Sequence, residues 1–419
     1  MHPDFKNRLN SILPAIADSF GTPFHIYDER GIRSTGERLK KAFGGIDGFQ
    51  EYFAVKALPN PKVLEIMADM GFGFDCSSIA ELILARQAGG RGEDVMFTSN
   101  NTDREEFKQA AQDEGCILNL DDVSLVPKVP EMPELICFRY NPGPRRTGNS
   151  IIGKPEEAKY GVAHNQLLDA YAQARSRGAT RFGLHTMLAS NELNHAYMVQ
   201  TTQMLLEMVE WVSKELGIRF EFVNMGGGLG IPYRPDDAAF DLEAMGNEAC
   251  ALFADFKKRN GYAPRLYMES GRYMTGPHGV LVVKAINRKE IYRTYIGVDA
   301  SMSSLMRPAM YGAYHHIDVF GKDGRHEPVT VDVVGSLCEN NDKFAIQRPL
   351  PPITEGDLLV IHDTGAHGHS MGFNYNGNLR PKELLLRTNG RVELIRRAET
   401  VSDYFATLEF TPKVISPAT

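Results

Sequence analysis

The chain has 419 residues, of which 42% are hydrophobic and 24% charged, with a mean hydropathy of −0.29 and a formal net charge of −7. That length allows two or three domains, or one large barrel with an added module, and the composition excludes a disordered, collagen-like or membrane-embedded chain. No apolar run reaches the length of a bilayer span, and 46 basic against 53 acidic residues without long single-sign blocks argue against nonspecific nucleic-acid binding.

The N-terminal stretch MHPDFKNRLNSILPAIADSFG carries Asp4 and Asp18, and its short apolar run is interrupted by Pro14, so it reads poorly as a signal peptide. Five cysteines (Cys76, Cys116, Cys137, Cys250 and Cys338) form no C-x-x-C pair and no metal-finger spacing. They fit reduced thiols, and a cytoplasmic protein is expected. FHIYDE at 24–29 predicts one strand ahead of the main body, able to pair with the C-terminal part of the chain.

Eight β-type runs then alternate with segments of helical periodicity: EYFAVKA (51–57), FGFDCS (72–77), DVMFTS (94–99), ILNLDD (117–122), ELICFRYN (134–141), RFGLHTM (181–187), RFEFVNMG (219–226) and RLYMES (265–270). Intervening segments such as Ser78–Gly89 and Ala196–Leu216 carry apolar residues three and four apart and often close with glycine. Eight strand-plus-helix units fit an α/β fold of the (β/α)8 TIM-like barrel type better than an open doubly wound sheet. After about Pro277 the runs GVLVVKAINRKEI, IYRTYIGVDA, PVTVDVVGS, DLLVIHDT, KELLLRTNG and RVELIRRAE predict a mostly β C-terminal module, a sandwich or small barrel. The expected domains are residues 37–277 for the barrel and residues 1–36 with 278–419 for the β-rich part.

Active sites of such barrels lie at the C-terminal ends of the strands, and here those ends are polar. Lys56, Asp75, Asn141, His185, the Gly226-Gly227-Gly228 triplet and Glu269 with Arg272 occupy them. Lys56 sits among Phe53, Ala54, Val55, Ala57 and Leu58, where an ammonium is expected to lose hydration and become a nucleophile able to form a Schiff base; a lysine snorkelling to water is the other reading. The glycine triplet lets backbone N–H groups approach an anion, or is simply a flexible turn, but it lacks the spacing of a dinucleotide fingerprint because Ile231 and Tyr233 stand where a glycine is required. Glu269 is a carboxylate suited to keep a pyridine nitrogen protonated. Lysine, phosphate cradle and acid together describe a pyridoxal 5'-phosphate site.

In the β-rich part, the loop Ser336–Asp342 places Cys338 beside Glu339, and Arg307 and Tyr311 offer a cation and a phenol four residues apart. An inert buried thiol and a surface arginine are the alternatives. His362, His367 and His369 lack an acid or thiol ligand at a recognised spacing, so no metal is expected.

YFAVKALPN, GFDCSSIAEL, NMGGGLGIPY, ESGRYM, LMRPAMYGAYH, LCENND and HDTGAHGHSMGFNYN resemble, in this order, the motifs of the fold-type III pyridoxal phosphate decarboxylases, and among them the branch acting on diaminopimelate. The resemblance runs from about residue 24 to residue 409. It implies that Lys56 bonds the cofactor, that Gly226, Gly227 and Gly228 line its phosphate, that Glu269 pairs with its ring nitrogen, and that Asp75, His185 and Ser190 lie near it. Arg272 is implied at the phosphate or a substrate carboxylate, and Arg307 with Tyr311 at the substrate's second carboxylate. Cys338 as proton donor and Glu339 as a contact to the substrate amine are implied to act across a homodimer interface.

The sequence departs from the family pattern at Met187, where a ring-stacking histidine is expected, at His367, where a tyrosine near the phosphate is expected, at Ser270 for proline, and at Asn340-Asn341 for Ser-Gly. The implied reaction is decarboxylation of meso-2,6-diaminopimelate at its D-centre to L-lysine and CO2. The same fold also serves ornithine, lysine, arginine and carboxynorspermidine decarboxylases. Alanine racemase shares the barrel but has an arginine where Glu269 stands, and a non-catalytic cofactor carrier is usually a bare barrel without the β-rich part that carries Cys338.

Overall fold

The computed structural model describes residues 1–322 and 327–411. All eight expected runs form strands: Gln50–Ala54, Gly73–Cys76, Val95–Phe97, Ile117–Leu120, Leu135–Asn141, Arg181–His185, Phe220–Asn224 and Arg265–Met268. Each pairs in parallel with its neighbours in sequence, and the eighth pairs with the first, with Tyr267 opposite Gln50, so the sheet closes into a barrel. A two-residue strand, Val162–Ala163, adds to the outer end of Leu135–Asn141.

Alternation along these strands divides the barrel interior into layers. Tyr52, Met96, Ile117, Leu135, Cys137, Phe222 and Tyr267 form one buried cluster inside the barrel. Phe222 stacks on Tyr267 at 4.3 Å between ring centroids, and Tyr52 lies 4.9 Å from Tyr267. Gly183 makes room for this packing, because a Cβ there would lie 2.1 Å from the Phe222 ring. Two residues further along each strand stand Ala54, Asp75, Thr98, Asn119, Arg139, His185, Asn224 and Glu269, and every one of them is buried. An apolar plug therefore seals the lower barrel and carries a polar layer above it, at the C-terminal ends of the strands.

Outside the ring, the helices bury their apolar faces against the strands in the main core. Ile79–Gln87 is representative: Ser78 accepts a hydrogen bond from the Glu81 N–H, and Glu81 accepts one from the Ser77 N–H, which fixes the helix start directly after the second strand.

The second sheet is mixed. Phe24–Asp28 lies between Gly279–Glu290, to which it is antiparallel, and Lys382–Leu386, to which it is parallel. Two short helices not anticipated from the N-terminal composition, Pro3–Asn10 and Leu13–Phe20, bring Phe5, Leu9, Leu13 and Ile16 onto Phe24, Ile26, Val280, Val282 and Leu384. Strands Ile317–Val319 and Lys343–Leu350 also escape the sequence reading; the first is only three residues long, and the second is interrupted by polar residues and Pro349. Among the described residues no helix is long and apolar enough to cross a membrane.

Candidate active site

Lys56 lies in a one-turn 3-10 helix, Val55–Ala57, that ends the first strand. The expectation that its apolar neighbours desolvate it is not met. Val55 and Ala57 turn into the core, whereas the Lys56 side chain is 48% exposed in the barrel mouth, its Nζ 3.7 Å from Asp75 Oδ2. Asp75 is buried. Burial, reinforced by the nearby Glu269 carboxylate, pushes its carboxyl up to about 7, against the pull of Lys56.

Across the mouth, His185 Nε2 stands 3.1 Å from Glu269 Oε1. Burial alone would raise Glu269, but His185, Lys56 and Arg139 outweigh it and hold the carboxyl below its usual range; burial lowers His185. The pair is thus an ionised carboxylate beside a neutral imidazole. Asn224 links Glu269 to the glycine turn: its Nδ2 donates to Glu269 Oε1 at 2.9 Å and its Oδ1 accepts from Gly226 N–H at 2.8 Å. The turn has no space for side chains, since a Cβ at Gly226 or Gly227 would lie 2.5 Å from the carbonyls of Thr186 or Glu269. Gly228, at φ 110°, adopts a backbone that favours glycine. Met187 packs on this turn through its sulfur.

Arg272 donates to Tyr233 Oη at 2.5 Å and to Ser190 Oγ at 3.4 Å. Arg307 is 8% exposed, stacks over the Tyr233 ring at 4.6 Å and donates to His315 Nε2 at 2.9 Å. His315 Nδ1 donates in turn to the His362 carbonyl at 2.7 Å, which leaves Nε2 as the acceptor that Arg307 requires. Neither Arg272 nor Arg307 forms an ion pair with a carboxylate among the described residues. His367, at φ 56° with its N–H bonded to the Ala57 carbonyl, joins the same region. Burial and the cations Arg272, Lys56 and Arg307 press its pKa well below the usual histidine range.

Cys338 is exposed, which rules out the inert buried thiol. Its loop is held by Asp342, which accepts from the N–H groups of Leu337 at 2.9 Å and Met302 at 2.6 Å, and by Asn376, which accepts from the Cys338 N–H at 3.0 Å. Glu339 accepts from the Asn341 N–H, and Tyr311 is 66% exposed beside the exposed Met310. Cys338 and Tyr311 are thus open to solvent, and Glu339 is half-buried.

Sequence reasoning missed Thr98, Asn119, Arg139 and Asn224, although each stands two residues after an inward-facing apolar residue, Met96, Ile117, Cys137 or Phe222. Arg139 rather than Asn141 faces the mouth; the Asn141 amide holds the following loop through the Pro155 and Tyr160 carbonyls. Tyr233 and His315 were missed as well. Of the three histidines weighed as a metal set, His369 bonds the Pro381 carbonyl, His367 lies in the cleft, and His362 meets an acid from another strand, Asp318, at 2.9 Å.

Over residues 29–276 the chain matches the family described as pyridoxal-dependent decarboxylase, pyridoxal binding domain. The chain belongs to the pyridoxal-dependent decarboxylases. Over 97% of its length this decarboxylase is 47% identical to Protein TabA of Pseudomonas amygdali pv. tabaci, covering 96% of that protein. It is 37% identical to the diaminopimelate decarboxylase of Methanothermobacter thermautotrophicus, with 93% and 92% of the two chains covered. The crystal structure of diaminopimelate decarboxylase from M. jannaschii in co-complex with L-lysine matches with a TM-score of 0.88 at 30% identity, covering 95% of this chain and 94% of the other.

The polar layer of the decarboxylase fits pyridoxal 5'-phosphate. Asp75 Oδ1, Asn119 Oδ1, Arg139 Nε and both ring nitrogens of His185 are buried without a well-aligned hydrogen-bond partner, an arrangement that costs stability unless a polar ligand fills the space between them. The N–H groups of Gly227 and Gly228 likewise have no acceptor among the described residues. Just outside the layer, Glu51 accepts the Ser270 N–H at 2.5 Å and leaves its other oxygen unpartnered. Burial pushes that carboxyl up to about 8.

Proposed function

We propose that this carboxy-lyase removes CO2 from the D-centre of meso-2,6-diaminopimelate, giving L-lysine, and works as a homodimer. The observation that carries the reading is Arg307: a nearly buried guanidinium, oriented by His315 and Tyr233 and lacking a carboxylate partner among the described residues, beside the cofactor cleft. A substrate with a distal carboxylate would supply that partner, whereas a monocarboxylate diamine would leave the charge unpaired.

Pyridoxal phosphate, when bound, supplies a conjugated cationic ring that accepts the electron pair released as the bond to the α-carboxylate breaks. Lys56 is the amine that would hold the cofactor's carbonyl carbon, and Asp75, 3.7 Å away, keeps that side chain over the mouth. Glu269, ionised beside a neutral His185, would hold a proton at the ring nitrogen. The N–H groups of Gly227 and Gly228, Ser190 Oγ and Arg272 would bind the phosphate, with His367 next to them as an uncharged imidazole. Cys338 Sγ would deliver a proton to the substrate carbon in a second copy of the chain, with Glu339 at the substrate amine and Tyr311 beside the distal carboxylate; the exposure of Cys338 on an ordered loop and of Tyr311 on a short helix supports this placement. The five free cysteines fit a cytoplasmic setting.

A second reading, the same bond cleavage on another amino acid with a distal carboxylate, is favoured by Met187, Ser270 and His367, which depart from the family pattern around the cofactor. Release of CO2 from meso-diaminopimelate, ornithine, lysine and arginine, with and without added pyridoxal phosphate, tests both. The first reading expects diaminopimelate to be strongly preferred over the three monocarboxylates, and preference for a monocarboxylate overturns both.

A further inference from the structure

Away from the cleft, strand Ile317–Val319 pairs antiparallel with Leu358–Ile361, with Ile317 opposite Ile361 and Asp318 opposite Val360. His316 and His362 extend this ladder, joined by a hydrogen bond from the His362 N–H to the His316 carbonyl at 2.9 Å. Side chains two apart on one strand share a face, and so do residues opposite each other on neighbouring strands. His316, Asp318 and His362 are thereby gathered on one face. His362 Nε2 lies 2.9 Å from Asp318 Oδ2 and His316 Nε2 lies 3.3 Å from Asp318 Oδ1, and one donor atom from each residue falls within 4.8 Å of the others. His316 Nδ1 faces Tyr314 Oη at 3.5 Å, a contact that leaves Nε2 free as a lone-pair donor once Nδ1 carries the proton.

We propose that His316, Asp318 and His362 form a binding site for one divalent transition-metal ion of the zinc class. Two imidazoles and a carboxylate select zinc, cobalt or nickel over magnesium and calcium, which take oxygen-only ligand sets. His316 and His362 also line a cavity of about 570 Å³ bounded by Tyr233, Phe240, Tyr273 and His278, which gives an ion a way in and water a place in the remaining coordination positions. The present counter-ion of Asp318 is Lys6, 2.5 Å from Oδ2 and 42% exposed. Its long side chain can swing into solvent at the loss of one partly exposed ion pair, a weak interaction compared with three metal–ligand bonds.

The test is titration of the holoenzyme with ZnCl2 by calorimetry, with CoCl2 as a spectroscopic probe. One ion per chain is expected, with a visible cobalt spectrum of nitrogen and oxygen ligation. His316→Ala and Asp318→Asn, checked for folding by circular dichroism, should each weaken binding by at least roughly a hundred-fold, since even loss of an outer-shell partner weakens metal sites by about 10–100-fold. Cys338→Ser should bind as the parent does. A zinc-induced rise in melting temperature that is absent in His316→Ala would agree. No stoichiometric binding, binding indifferent to His316→Ala, or binding that disappears with Cys338→Ser overturns the proposal.

Discussion

Replacing Arg307 with methionine isolates the contribution of one charge. The substitution keeps a long side chain over Tyr233 while removing the guanidinium and its bond to His315. Breaking a buried charge pair by deleting one partner costs about 3–5 kcal/mol. At about 1.4 kcal/mol per tenfold, that is roughly a 10²–10⁴-fold loss in kcat/KM for a substrate with a distal carboxylate. The lower end is expected, because the substrate carboxylate in the variant can recover part of its hydration at an open barrel mouth. Ornithine and lysine have no distal carboxylate for Arg307 to hold, so their turnover should stay within a few-fold of the parent's or rise once an unpaired cation is gone. The assay is CO2 release under saturating pyridoxal phosphate with each substrate. An equal loss for dicarboxylate and monocarboxylate substrates would show that Arg307 supports the fold of the cleft rather than reading the substrate, and would remove the main argument for diaminopimelate.

Lys56→Ala should abolish CO2 release and the visible absorbance of the bound cofactor together; turnover retained in the purified variant would end the assignment of Lys56. Mixing Lys56→Ala with Cys338→Ala chains should restore about a quarter of the parent activity through mixed dimers, because half the dimers are mixed and each rebuilds one of its two sites; two variants that remain inactive after subunit exchange would place Cys338 in its own chain's chemistry. Glu51 binds its proton more tightly in the folded protein than in the unfolded chain, so the fold loses stability as pH rises from about 4.5 to about 8. Glu51→Gln keeps an oxygen for the Ser270 N–H and removes the charge, so its melting temperature should exceed the parent's by more at about pH 9 than at about pH 5, and a pH-independent gap would count against a buried, titrating carboxyl.

Much of the barrel was legible because each strand run is short, apolar and bounded by polar or glycine-containing segments, and because strand ends concentrate chemistry. Lys56, Asp75, His185 and Glu269 were found that way and do converge. Thr98, Asn119, Arg139 and Asn224 carry the same signal at or within two residues of a strand end, but they resemble ordinary hydrogen-bonding residues until the ring closes and places them beside Glu269 and Asp75. Asp318 had no local signal, and His315, although it closes the motif LMRPAMYGAYH, had none that pointed to Arg307. His315 supports Arg307 through a carbonyl 47 residues further along, and Asp318 meets His362 44 residues away, and pairings of that range depend on strand register that spacing does not reveal. The desolvation assigned to Lys56 failed for a geometric reason: neighbours in sequence alternate sides, so the apolar residues around Lys56 describe the wall behind it rather than its surroundings.

Strand Phe24–Asp28 emerges early in synthesis, yet both of its hydrogen-bonding edges are covered by segments made far later, Gly279–Glu290 and Lys382–Leu386. Through translation of the whole barrel it has no sheet to join, and its two bare edges are open to pairing with other chains. The barrel is then the part able to mature during synthesis, while the second sheet waits for nearly the last residues. A stop codon or proteolytic cut anywhere before about residue 386 would remove one of those covers and leave that strand with an exposed edge, so truncated products of this gene should aggregate rather than persist as a free barrel.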